Sequence, residues 1–118
     1  MERIKSSYIL WHQYHTTLPK THRYTIGNRI DSLLVEGIEA VAQATFISRA
    51  EKEPWVRLAI RKLDTAKLLL MILWESKSLD TKKYATLSEK LDEAGKMLGG
   101  WSGQLRKNSA PLTSGAGK

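Results

Sequence analysis

The sequence predicts an all-α protein, an antiparallel up-down-up-down bundle of four helices. Three observations carry this. Apolar residues recur at spacings of three and four over four long stretches. Prolines and short polar runs punctuate those stretches, so the connections are short. No stretch alternates with the period of two that a half-buried strand requires. A chain of 118 residues is one domain with a single core.

The first helix is expected over about 2–17, where Ile4, Tyr8, Trp11, Tyr14 and Leu18 form a stripe that Ile9 and Leu10 widen. Leu18-Pro19 ends it, because proline pushes the preceding residue out of helical geometry. A short basic connection follows, in which Thr21 or Thr25 caps the next helix. That second helix covers about 24–49. Ile26, Ile30, Leu33, Leu34, Gly37, Ile38, Val41 and Ala44 or Thr45 trace its face, with Asp31, Glu36 and Glu39 mostly off it.

Glu51 to Pro54 reads as a helix start, with acidic residues and proline where an N-terminus favours them. The third helix therefore spans about 54–77, on a face of Leu58 or Ala59, Leu63, Ala66, Leu70 and Leu73. Val56, Ile60, Ile72 and Trp74 thicken that face until the second half is apolar nearly all round. Such a helix needs cover on more than one side, from a thick core or from another subunit.

Asp80 or Thr81 caps the fourth helix, expected over 81–107. Tyr84, Leu87, Leu91, Ala94, Leu98, Trp101 and Leu105 form its seam. Gly95, Gly99 and Gly103 repeat every fourth residue along one strip, although each glycine costs about 1 kcal/mol of helix stability against alanine. A tight helix crossing within the chain explains that cost, and a subunit interface is the alternative. The four helices make residues 1–107 one bundle, and the proline- and glycine-containing 108–118 segment is expected to be a flexible tail.

Composition narrows the function. Without cysteine there is no disulfide and no thiolate chemistry, which fits a reducing compartment. The N-terminal stretch lacks the uninterrupted apolar region of a signal peptide. The longest apolar run, Leu68 to Trp74, is far too short to cross a bilayer. The expectation is a cytoplasmic protein without a membrane partner.

Chemistry-bearing motifs are incomplete. His12 and His15 share a helix face, but no further ligand is spaced to complete a zinc site with them or with His22. Gly100-Trp101-Ser102-Gly103-Gln104 has glutamine where a nucleophile elbow needs glycine. Gly95-Lys96-Met97 lacks the rest of a phosphate loop. Glu89, Asp92 and Glu93 alternate with Lys90 and Lys96 as a solvated face does. No enzyme, metal or cofactor is expected.

The cations are the functional lead. Nineteen Lys and Arg against twelve Asp and Glu give a net charge of +7, a field that favours polyanions. Arg57, Arg61, Lys62 and Lys67 lie on the third helix; Lys20, His22 and Arg23 cluster in the first connection. Arg106 and Lys107 close the fourth helix, where the dipole favours them, whereas Lys82 and Lys83 open it, where the dipole does not. Such residues contact phosphates with little base specificity.

Leu18 to Asp31 (LPKTHRYTIGNRID), Leu63 to Glu75 (LDTAKLLLMILWE) and Leu87 to Trp101 (LSEKLDEAGKMLGGW) together resemble the accessory variability determinant (Avd) proteins of diversity-generating retroelements. The same four-helix superfamily includes the proteins encoded in intervening sequences of ribosomal RNA. The likeness covers about Tyr8 to Lys107, and its most specific part is Gly95 to Trp101. It implies a homopentameric barrel of bundles that binds a reverse transcriptase and nucleic acid, both template RNA and cDNA, and supports mutagenic reverse transcription. Leu70, Trp74, Trp101 and the three glycines would then serve bundle or ring packing. Arg57, Arg61, Lys62, Lys67, Lys82, Lys83, Arg106 and Lys107, with Lys20 and Arg23, would meet RNA or polymerase. The other reading is a structural or protein-interaction bundle of the intervening-sequence type, whose positive charge is incidental.

Overall fold

The computed structural model describes residues 1–114, with side chains described as far as Lys107. Helices α1 (Glu2–His15), α2 (Lys20–Arg23), α3 (Ile26–Phe46), α4 (Arg49–Glu75) and α5 (Thr81–Ser114) follow one another, and no strand occurs among the described residues. The four long helices close a ring of contacts: α3 on α4, α4 on α5, α5 on α1, and α1 on α3. Their inner faces make one core. Ile4, Trp11, Leu33, Leu63, Leu70, Leu91 and Leu98 are among its fully buried side chains.

The seams follow the expected periodicity except at identifiable places. Ile9 does not widen the stripe of α1; it is 59% exposed. Asp31 is not a bystander, because its carboxylate accepts from Tyr8 Oη at 2.9 Å and from Trp11 Nε1 at 3.2 Å. That bond is what allows a fully buried indole to keep its N–H satisfied. Burial first, and then the Asp31 acceptor, push the Tyr8 phenol above its ordinary value.

Boundaries shift for local reasons. The first helix stops at His15, and the basic connection winds into α2 after Pro19. Thr25 precedes α3 but does not cap it, since its hydroxyl donates to the Thr21 carbonyl. Pro54 does not start α4; the helix begins at Arg49 and runs through it. Two tertiary links hold that early segment: Lys52 Nζ donates to the Ala44 carbonyl at the end of α3, and Glu53 accepts from Ser102 of α5. At the other end α4 stops at Glu75, short of Lys77.

Helix α5 starts where expected, with Asp80 Oδ1 accepting from the Lys83 backbone N–H at 2.8 Å. It does not stop at Lys107. The segment expected as a flexible tail begins as helix, to Ser114, because an existing helix gains a bond with each added residue. Residues 115–118 lie outside the described residues.

Glycine matters most at Gly27 and Gly37. A Cβ on Gly27 would stand 2.9 Å from the His15 ring and from the His22 carbonyl; one on Gly37 would stand 3.1 Å from Leu63. These are the close crossings. The strip on α5 is not one: a Cβ at Gly99, Gly100 or Gly103 would meet nothing within 4 Å, and one at Gly95 only Lys67 Nζ. A tight crossing within the chain therefore does not explain those glycines.

Candidate nucleic-acid interface

Arg57, Lys62 and Lys67 of α4 are neutralised by acids within the fold. Arg57 hydrogen-bonds Glu53 one turn earlier. Lys62 meets Glu36 of α3 at 2.9 Å, as an ion pair set off the hydrogen-bonding direction of a buried carboxylate oxygen. Lys67 reaches Asp92 of α5 at 3.1 Å and Asp64 at 3.6 Å. The Lys62–Glu36 and Lys67–Asp92 pairs link neighbouring helices, and surface pairs of this kind contribute little net stability.

Glu53 is the best-held carboxylate. The bond from Arg57 lowers its proton affinity most; burial opposes this, and the Ser102 hydroxyl and Arg106 add to the lowering. Glu36 is likewise held below its ordinary value, by Lys62 first and more weakly by Arg29. The folded values lie below the ordinary 4.5, so the links contribute fully above 4.5 and are lost as pH falls from there through the lowered folded values. Glu53→Gln is expected to flatten the fall in melting temperature between about pH 5 and pH 3. Identical acid slopes in parent and variant would show that Glu53 carries none of that dependence.

Other cations keep their charge free. Arg61, Lys82 and Lys107 are exposed, as is Lys20, and none has a carboxylate within ion-pair distance among the described residues. Arg106 is exposed too but acts on Glu53 at longer range. Lys83 sits over the Tyr14 ring at 5.5 Å, which leaves its charge uncompensated by an acid. Arg23 is partly structural, because its Nε donates to the Leu18 carbonyl and its guanidinium lies over Tyr24. His22 bonds Ser78 Oγ, tying α2 to the turn between α4 and α5.

The ten expected contact residues thus do not form one patch. That tie brings Lys20, Arg23, Lys82 and Lys83 to one end. Arg57 and Arg106 gather around Glu53 at the start of α4, with Arg61 one turn along. Lys62 and Lys67 stand on opposite flanks of α4, facing α3 and α5. Among the residues expected to pack, Leu70 is fully buried within the chain, Trp101 packs against the core, and Trp74 stacks on Tyr84 at 4.7 Å.

Sequence reasoning missed Lys77, which it placed inside a helix. Lys77 instead has φ 67°, in the left-handed region. Nothing in the sequence marks this, since glycine is the residue expected there. Among the described residues no group of three or more His, Cys, Asp or Glu is arranged to hold a metal ion. No helix among them is long and apolar enough to cross a membrane. Comparison with protein-family models, with curated proteins and with solved structures finds no match.

Proposed function

We propose that this protein is a non-catalytic accessory subunit of the Avd type. It binds nucleic acid and a reverse transcriptase in the cytoplasm and supports mutagenic copying of template RNA. The observation that carries the reading is the set of cations without acid partners among the described residues, Arg61, Lys82, Lys83, Lys107 and Lys20, with Arg106 only loosely tied to Glu53. Uncompensated cations serve solubility one at a time, but together they favour a polyanion, whose phosphates would supply the missing partners. The three stretches resembling Avd proteins add the polymerase and the retroelement.

The active form is proposed to be a homo-oligomeric barrel, a pentamer on the family resemblance, of up-down-up-down bundles. Several pairings support that topology: Glu36 with Lys62 and Ala44 with Lys52, Lys67 with Asp92 and Glu53 with Ser102, each set running in opposite senses. Two features support association. Leu68 is 53% exposed and Ile72 38% on α4, and the glycine strip of α5 is open. Both are explained if another copy covers them.

The structural-bundle alternative is favoured by the internal pairing of Arg57, Lys62 and Lys67. Charge reversal separates the two. Arg61→Glu with Arg106→Glu is expected to weaken binding of a labelled RNA by at least about tenfold, because reversal removes attraction and adds repulsion. Arg57→Gln is expected to change it less than about threefold, its charge being already compensated. Equal affinities for the parent and the double reversal would remove these cations from the site; no RNA binding by the parent would favour the structural bundle.

A further inference from the structure

The turn after α4 breaks two local rules in favour of positive charge. Ser78 N–H donates to the Leu73 carbonyl at 2.9 Å and Lys77 N–H to the Trp74 carbonyl at 3.0 Å, the paired bonds of a Schellman termination. Its left-handed position ordinarily takes glycine, and here holds Lys77 at φ 67°. Lys82 and Lys83 then open α5 against the helix dipole. Lys83 gains the Tyr14 ring in return, but Lys77 and Lys82 have no acid partner among the described residues. Local rules broken in this way are expected at functional or strained sites.

Beside Lys77 lies an open groove of about 550 Å³, lined by Trp74, Glu75, Lys77, Leu79, Asp80 and Thr81. Trp74 is fixed before any ligand arrives: its Nε1 donates to Thr81 Oγ1 at 3.1 Å, and its ring lies within 5° of parallel to Tyr84. One face of the indole is taken by Tyr84, so it meets a base only by what it presents to the groove. Being held already, it does so with little ordering cost. Glu75 and Asp80 repel phosphate from the groove itself but accept hydrogen bonds from an exocyclic amine, while Lys77 in the lining and the exposed Lys82, next in sequence to the lining residue Thr81, supply the nearby positive charge.

We propose that this turn docks a single nucleic-acid strand, with one unpaired base in the groove beside Trp74 and flanking phosphates on Lys77 and Lys82. This rests on the nucleic-acid reading above and names the form of the ligand and its place. A duplex keeps its bases stacked inside and cannot offer one to the groove. An anionic lipid surface has no ring to place there.

Lys77→Gly tests this cleanly, because glycine is favoured at that φ and the variant is expected to melt no lower than the parent. Binding is measured by anisotropy of a labelled cytidine oligonucleotide, of the same strand in duplex, and by sedimentation with anionic phospholipid vesicles. The expected result is tighter binding of the strand than of the duplex. Lys77→Gly is expected to weaken strand binding at least about threefold and Lys82→Glu about tenfold, with a shallower salt slope in both. Strand binding unchanged in both variants but weakened by Arg61→Glu with Arg106→Glu would overturn this site and leave the broader reading standing. Duplex bound as tightly as strand would overturn the base-in-groove placement. No binding of either nucleic acid by the parent would overturn both readings, and vesicle binding that needs Lys77 would then assign the turn to a membrane surface.

Discussion

Trp11→Ala is expected to destabilise the protein by about 3–5 kcal/mol, a large share of the total stability of a domain this size. Trp11 is fully buried, stacks on His15 at 5.0 Å, and donates to Asp31. Truncation leaves a ring-sized void between α1 and α3 and removes one of the two donors to the Asp31 carboxylate. Melting temperature is expected to fall by more than about 10 °C. Trp11→Phe fills most of the void and loses only the hydrogen bond, so its cost is expected to be about 1–2 kcal/mol. A fall of less than about 3 °C for Trp11→Ala would mean that this end of the core is not packed as described.

The second large effect has opposite signs in two measurements. Alanine at Gly99 and Gly103 meets nothing within 4 Å among the described residues outside its own helix backbone, and each replacement is expected to stabilise α5 by about 1 kcal/mol. If the open strip is where another subunit's backbone approaches, the two methyl groups hold that backbone away. Sedimentation is then expected to show the parent as an oligomer and the double variant as a smaller species, with melting of the separated chain raised. Gly100→Ala, also open within the chain, serves as a neighbouring control. Unchanged oligomeric mass in the double variant would remove the strip from any interface.

Much of the fold was legible because the seams are long. Tyr84 through Leu105 repeats often enough on α5 that no other element accommodates it, and all of those residues are buried or pack against the core. The start of α4 was not legible. Pro54 outweighed residues 49–53 locally, while Lys52 and Glu53 are held by partners far away in sequence. Distance also hid the state of the cations. Arg57 and Glu53, one turn apart, were readable as a pair; Lys62 with Glu36 and Lys67 with Asp92 exist only once helices are assembled. The glycine strip shows the reverse. Its periodicity was plain, but only the structure separates glycines in contact, Gly27 and Gly37, from glycines facing open space. Lys77 carried no signal, because its backbone conformation is set by the termination around it.

The reading of this chain as a polyanion-binding accessory protein depends most on phosphate contacts, and their number is measurable. RNA affinity should be followed across a salt series on protein whose oligomeric mass is determined in the same buffer. Each phosphate contact to a single strand contributes about −0.7 to the slope of log affinity against log salt. The account predicts a steep negative slope, equivalent to several contacts per chain, carried by an oligomer. Absence of binding at low salt, or an affinity indifferent to salt, would contradict it.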